Sequence, residues 1–210
     1  LIIRPTGRPL GRRRVLLGGV LALSGCGLAG GLSERPYVER RDWPLLAARP
    51  VALPPRQGGK TLLLRTLRAG PAAQARGLQT IQPDGSVRTA FYEEWAAPPA
   101  EAMEAALRAW LQASGQFAAV LSPGSRAQAD LVFDGELQAL VADPPTHQAR
   151  AALSYVLLRQ RGLATSVLLQ AEPAARVPLS GDDPPQAVRC MTQAVVALCA
   201  QIEAGLAPYA

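Results

Sequence analysis

Between Asp130 and Ala171 the chain alternates apolar and polar residues in three consecutive runs, and this is the strongest constraint on its fold. In Asp130–Val141, Leu131, Phe133, Leu137 and Val141 alternate with Asp134, Glu136 and Gln138. In Ala149–Leu158, Leu153, Tyr155 and Leu157 alternate with Arg150 and Ser154, and Leu163–Ala171 adds a third run. A period of two puts one set of side chains on each face of a sheet. Asp143-Pro144-Pro145-Thr146 and Arg161-Gly162 are turn signals between the runs, so they predict an antiparallel meander.

Upstream, Thr61–Leu67 reads as a short strand stopped by Gly70-Pro71. Gly77–Gln82 and Ser86–Tyr92 flank Pro83-Asp84-Gly85 and read as a hairpin, since proline presets φ and glycine accepts φ > 0. Pro98-Pro99 opens a helix that runs to Ser114 and stops at Gly115. Its residues Met103, Leu107, Trp110 and Leu111 share one face. Phe117–Leu121 reads as another short strand. After a loop from Pro178 to Pro185, with Asp182-Asp183 as an N-cap, a last helix runs to about Gly205. Val188, Met191, Val195, Leu198 and Ile202 form its apolar face. The order predicts an α+β fold, a two-layer sandwich of mostly antiparallel sheet covered on one face by two amphipathic helices. We assign this domain to residues 61–210.

Residues 26–60 read differently. Pro36, Pro44, Pro50, Pro54 and Pro55 exclude a long helix or a central strand, which predicts an extended tether. Tyr37, Trp43 and Leu45-Leu46 are too apolar for a pure linker; packing on the domain, contact with a membrane surface and docking to a partner all fit them.

The net charge of +6 invites a nucleic-acid reading, but five arginines (Arg4, Arg8, Arg12, Arg13, Arg14) precede residue 26 and no acidic residue does. The remaining chain has 17 basic against 16 acidic groups, which removes the basic footprint that phosphate binding needs.

Enzyme chemistry finds no foothold. His147 is the only histidine, which excludes a histidine-based metal cluster, and it sits in a turn beside Pro144-Pro145. No G-x-S-x-G elbow surrounds a serine. Gly58-Gly59-Lys60-Thr61 lacks the leading glycine of a phosphate-binding loop. Glu93-Glu94 and Asp182-Asp183 are adjacent carboxylates, suited to opposite faces of a strand and to a helix cap rather than to acid/base work. No metal and no cofactor is expected. Cys190 and Cys199 lie on opposite sides of one helix, ~13 Å apart along its axis, too far for a disulfide. Cys199 is expected in the core, and Cys190 either faces solvent or is covered by a neighbouring segment. Tyr92 and Trp95 form an aromatic pair at a strand-to-helix junction, where both a core role and a partner groove fit.

The N-terminus carries a targeting signal. Arg12-Arg13-Arg14, the apolar run Val15–Leu23 and the small pair Ser24-Gly25 have the three-part layout of an export signal, with a run too short to span a bilayer. The arginines also resemble a twin-arginine signal. Leu23-Ser24-Gly25-Cys26 resembles a bacterial lipobox, which implies removal of residues 1–25 and a lipid anchor on Cys26.

Three further stretches carry a family resemblance. Tyr92-Glu93-Glu94-Trp95-Ala96-Ala97-Pro98-Pro99 is similar to a Y-x-x-W-x-x-P-P segment, and Ser114-Gly115-Gln116-Phe117 to S-G-x-F at the end of the following helix. Phe133-Asp134-Gly135-Glu136-Leu137 matches L-x-G-x-L with Phe133 in place of the first leucine. In this order they resemble the ABC-type transport auxiliary lipoproteins, the PqiC-like family. The chain departs from that pattern at Arg35–Pro50, which replaces a Tyr-x-Leu element near the lipidated cysteine. The resemblance implies a non-catalytic lipoprotein facing the periplasm in an ABC-linked, MCE-type lipid transport system. It would dock the MCE-domain tunnel subunit at the outer membrane, held there by Cys26; Gly27, rather than Asp, follows the anchor. Tyr92 and Trp95 are the candidate partner contacts. The rival from the binding class is an envelope lipoprotein that regulates a cell-wall synthase or outer-membrane assembly.

Overall fold

A long hairpin forms the spine of the fold, a computed structural model that describes residues 37–162, 164–181 and 183–210. The export signal, Cys26 and Asp182 of the expected cap lie outside these residues. The two hairpin strands are β7 (Leu131–Asp143) and β8 (Gln148–Arg161), antiparallel along their whole length. Pro144–Thr146 makes a single 3₁₀ turn between them. The Asp143 carboxylate accepts from the Thr146 N–H at 3.3 Å, and His147 closes the turn in the left-handed region at φ +53°. An exposed His147 in a turn is what the flanking prolines predict.

The remaining strands are β1 (Arg41–Trp43), β2 (Thr61–Leu64), β3 (Arg68–Ala69), β4 (Gly77–Ile81), β5 (Val87–Trp95), β6 (Ala119–Leu121), β9 (Ala164–Ala171) and β10 (Ala174–Pro178). Helix α1 spans Pro99–Ala113 and α2 spans Pro184–Leu206. Along the free edge of β8, β9 and β10 pair antiparallel in succession. Along the free edge of β7, β2, β3 and β4 pair in succession, and all three run parallel to it. β6 adds parallel to β2, and β1 adds parallel to β5.

The sheet is therefore mixed, not mostly antiparallel as expected. Alternation reveals a strand but not its direction. The meander β7-β8-β9 follows from short turns, whereas β2, β3 and β4 precede α1, and a crossover through a helix returns the chain in the same direction. β10 also lies outside the sequence reading: Glu172-Pro173 interrupts the pattern, and only five residues follow before the loop.

Both helices place their predicted faces on one side of the sheet. Met103, Leu107 and Leu111 of α1 and Met191, Val195, Leu198 and Ile202 of α2 are fully buried with Phe133, Leu137, Leu153 and Leu157. Each such side chain contributes roughly 1.5–3 kcal/mol of burial. Phe133 and Tyr155 stack across β7 and β8 with centroids 4.6 Å apart. Asp183 occupies the N-cap position of α2 but makes no side-chain capping bond.

The compact unit begins at Val38, not at Thr61. The segment expected as a tether to residue 60 packs from β1 onward: Ala47 is buried, and Trp43 and Leu45 lie against the core. Leu53 N–H donates to Ala113 O at 2.9 Å. Arg49 grips the Glu203 carboxylate through Nε (3.1 Å) and Nη2 (3.2 Å), and Trp110 Nε1 donates to the same group at 2.6 Å. Proline excludes a helix and a central strand, but it leaves an extended strap free to cross α1 and α2.

Candidate partner-docking surface

A surplus of residues in β5 builds the most conspicuous feature of the surface. Gly77 of β4 faces Glu94, but Gln79, two residues on, faces Thr89, five residues back. Three more residues are used on β5 than on β4, so the strand bulges between Thr89 and Glu94. Phe91 and Tyr92 ride on this bulge. Phe91 is 73% exposed and Tyr92 45%, and their rings meet edge to face at 5.0 Å.

Gly77 makes the bulge possible. A Cβ at that position would lie 2.1 Å from Ala90 O and 2.7 Å from Thr89 Cγ2. A glycine within a strand pattern is itself the sequence signal of a bulge or a close backbone approach.

The base of the bulge is clamped by charge. Glu93 accepts from Trp43 Nε1 at 2.6 Å and lies 3.8 Å from Arg41. Glu94 is paired with Arg40, and Arg76 reaches it at 4.0 Å. Arg76 also donates to Trp95 O at 3.0 Å and to Ala96 O at 3.3 Å, while Trp95 N–H donates to Arg76 O at 2.8 Å. Arg40 stands 5.8 Å from the centre of the Phe91 ring, a cation–π contact of ~0.5–1 kcal/mol at an exposed site. Two exposed aromatic rings thus stand on a rigid base with a cation beside them. Rigid aromatic anchors lose little side-chain entropy on binding, which suits a protein interface.

The two sequence candidates separate here. Tyr92 is on the surface. Trp95 is 1% exposed and belongs to the core, so it offers no area to a partner. Phe91, more exposed than either, escaped the sequence reading because an unbulged strand would have given it no special status. Cys26 lies outside the described residues. Among those residues, no three histidine, cysteine, aspartate or glutamate side chains gather as a metal site. Cys190 and Cys199 are both free and buried; Cys190 is covered by the segment after β10, with Ser180 Oγ at 3.6 Å from its sulfur.

Comparison with known proteins identifies the scaffold. The model of a family described as "ABC-type transport auxiliary lipoprotein component" matches residues 45–203. Among solved structures, a Xanthomonas campestris protein of the DUF330 family superposes with a TM-score of 0.63 at 17% identity, covering 77% of this chain and 94% of that one. A second crystal structure, of an uncharacterized protein, gives a TM-score of 0.63 at 12% identity, covering 80% and 99%. At these identities the two likenesses are of fold alone. No match was found among curated proteins.

Proposed function

Given that the chain belongs to the family of ABC-type transport auxiliary lipoprotein components, we propose that it docks the MCE-domain tunnel subunit of an ABC-linked lipid transporter at the outer membrane. The carrying observation is the β5 bulge, which holds Phe91 and Tyr92 out from a base fixed by Glu93, Glu94, Arg40 and Arg76. In this reading the protein supplies neither ATP hydrolysis nor substrate chemistry. It supplies position: a lipid on Cys26, a short lead of chain, and a rigid domain that begins at Val38. A triacylated cysteine is a stable anchor, where a single acyl chain holds only marginally. Gly27 in place of aspartate after the anchor supports the outer membrane.

Two linked experiments test this reading. The tagged full-length protein is purified from detergent-solubilised envelopes and its retained partners are identified by mass spectrometry. Recovery of an MCE-domain subunit with its permease and ATPase is expected; recovery of a cell-wall synthase or an outer-membrane barrel instead would favour the rival reading. In the same strain, Cys26→Ala should move the protein from the membrane fraction to the soluble periplasm. Unchanged fractionation would rule out the anchor.

A further inference from the structure

The sheet face opposite the helices bears an unusual pair. Strand register places Thr89, Gln79, Val141, Arg150 and Arg176 in one row across β5, β4, β7, β8 and β10, directly opposite one another from strand to strand. The flanking residues Leu78, Leu140, Ala142, Ala149, Ala151 and Ala175 point into the helix-covered core, so this row lies on the other face. With strands ~4.8 Å apart the row is ~19 Å long. It starts at the foot of the β5 bulge and ends with two arginines side by side.

Like charges directly opposite on neighbouring strands are destabilising, and arginine does not relieve the cost by losing its proton. Elsewhere on this face cations are matched: Asp134 lies 3.2 Å from Arg65 and 3.8 Å from Arg68, and Glu136 lies 3.5 Å from Arg68. Neither Arg150 nor Arg176 has a carboxylate at ion-pair distance among the described residues. Arg150 Nε is moreover buried without a hydrogen-bond partner. In the next row toward the matched charges Ala139 is buried, while Ala152 and Ala174 are part-exposed small residues beside the two arginines.

We propose that Arg150 and Arg176 receive a carboxylate from an acidic segment of the partner subunit, laid over Ala152 and Ala174 on the sheet face opposite the helices. Charge complementarity selects an acidic partner. A chain segment, unlike a small free anion, would also cover the part-exposed Ala152 and Ala174 and so exclude water from the ion pair. Two guanidinium forks converging on one carboxylate form the strong, directional kind of ion pair. This inference rests on the docking reading above and adds a second contact point, at the opposite end of the row from Phe91 and Tyr92.

The test measures affinity of the purified full-length lipoprotein in detergent for the purified MCE-domain subunit, as wild type and as Arg150→Gln/Arg176→Gln. We expect the double variant to bind at least tenfold more weakly, to lose most of the salt dependence seen for wild type, and to melt at the same or a higher temperature. If the double variant fails to fold, Arg176→Gln alone, at an exposed position, takes its place. Wild-type binding with no loss in the variants would overturn this inference and leave the docking reading standing. Absence of wild-type binding would overturn the docking reading and this inference with it. Loss of binding to phosphatidylglycerol vesicles, with subunit binding intact, would assign the pair to a membrane surface and also overturn the proposal.

Discussion

Cys199 shows how strongly a residue's place in this fold sets its chemistry. Burial, with the Glu203 carboxylate in second place, pushes its thiol pKa from 9.0 up to about 12. In the unfolded chain the thiol ionises near its ordinary value; in the fold it stays protonated. Its contribution to stability is fully present below pH 9 and is lost as pH rises from there toward 12. Thiol titration of the native protein at pH 8 with a disulfide reagent should therefore find Cys199 unreactive until denaturant is added. Fast labelling of Cys199 under native conditions would contradict its burial. Trp95 makes the complementary point. Its sequence position at a strand-to-helix junction does not choose between core and interface, because tryptophan serves both; its burial in the core cluster decides for the core.

The elements were legible where their periodicity was long and invisible where geometry depended on a neighbour. Both helices and the β7–β9 meander follow from spacing alone. The parallel β2, β3 and β4 did not, since direction is a property of the connection rather than of the strand. The strap from Val38 to Lys60 was hidden by its prolines, although Arg49, turned inward to Glu203, marks it as part of the domain. The β5 bulge was hidden for a different reason: three surplus residues can only be counted against a partner strand. Gly77 is its one sequence trace, and it carries a prediction. Gly77→Ala should cost about 2 kcal/mol or more, because the new Cβ collides with Ala90 O and the bulge must shift. Thermal melting checks this; a variant as stable as wild type would mean that the bulge is soft and its aromatic rings not fixed.

At the scale of the molecule, the sheet has one face committed to the helix-covered core, and across the other runs a row with an aromatic bulge at one end and an arginine pair at the other. Membership of the transport auxiliary lipoproteins was readable from three short motifs in order, two of which now have plain structural roles. The Tyr92–Pro99 stretch builds the bulge, the buried Trp95 and the start of α1; Ser114-Gly115 ends α1, with Gly115 in the left-handed region at φ +69°. The docking surface was only half legible, because Tyr92 was visible in the motif while Phe91 depends on the bulge. The most direct test of the docking account is the affinity of the purified MCE-domain subunit for the Phe91→Ala/Tyr92→Ala protein, measured beside its melting temperature. Docking through the bulge predicts at least tenfold weaker binding, with stability lowered by no more than about 1–2 kcal/mol, the worth of the exposed aromatic and cation–π contacts the variant loses. Undiminished binding by a well-folded double variant would contradict it.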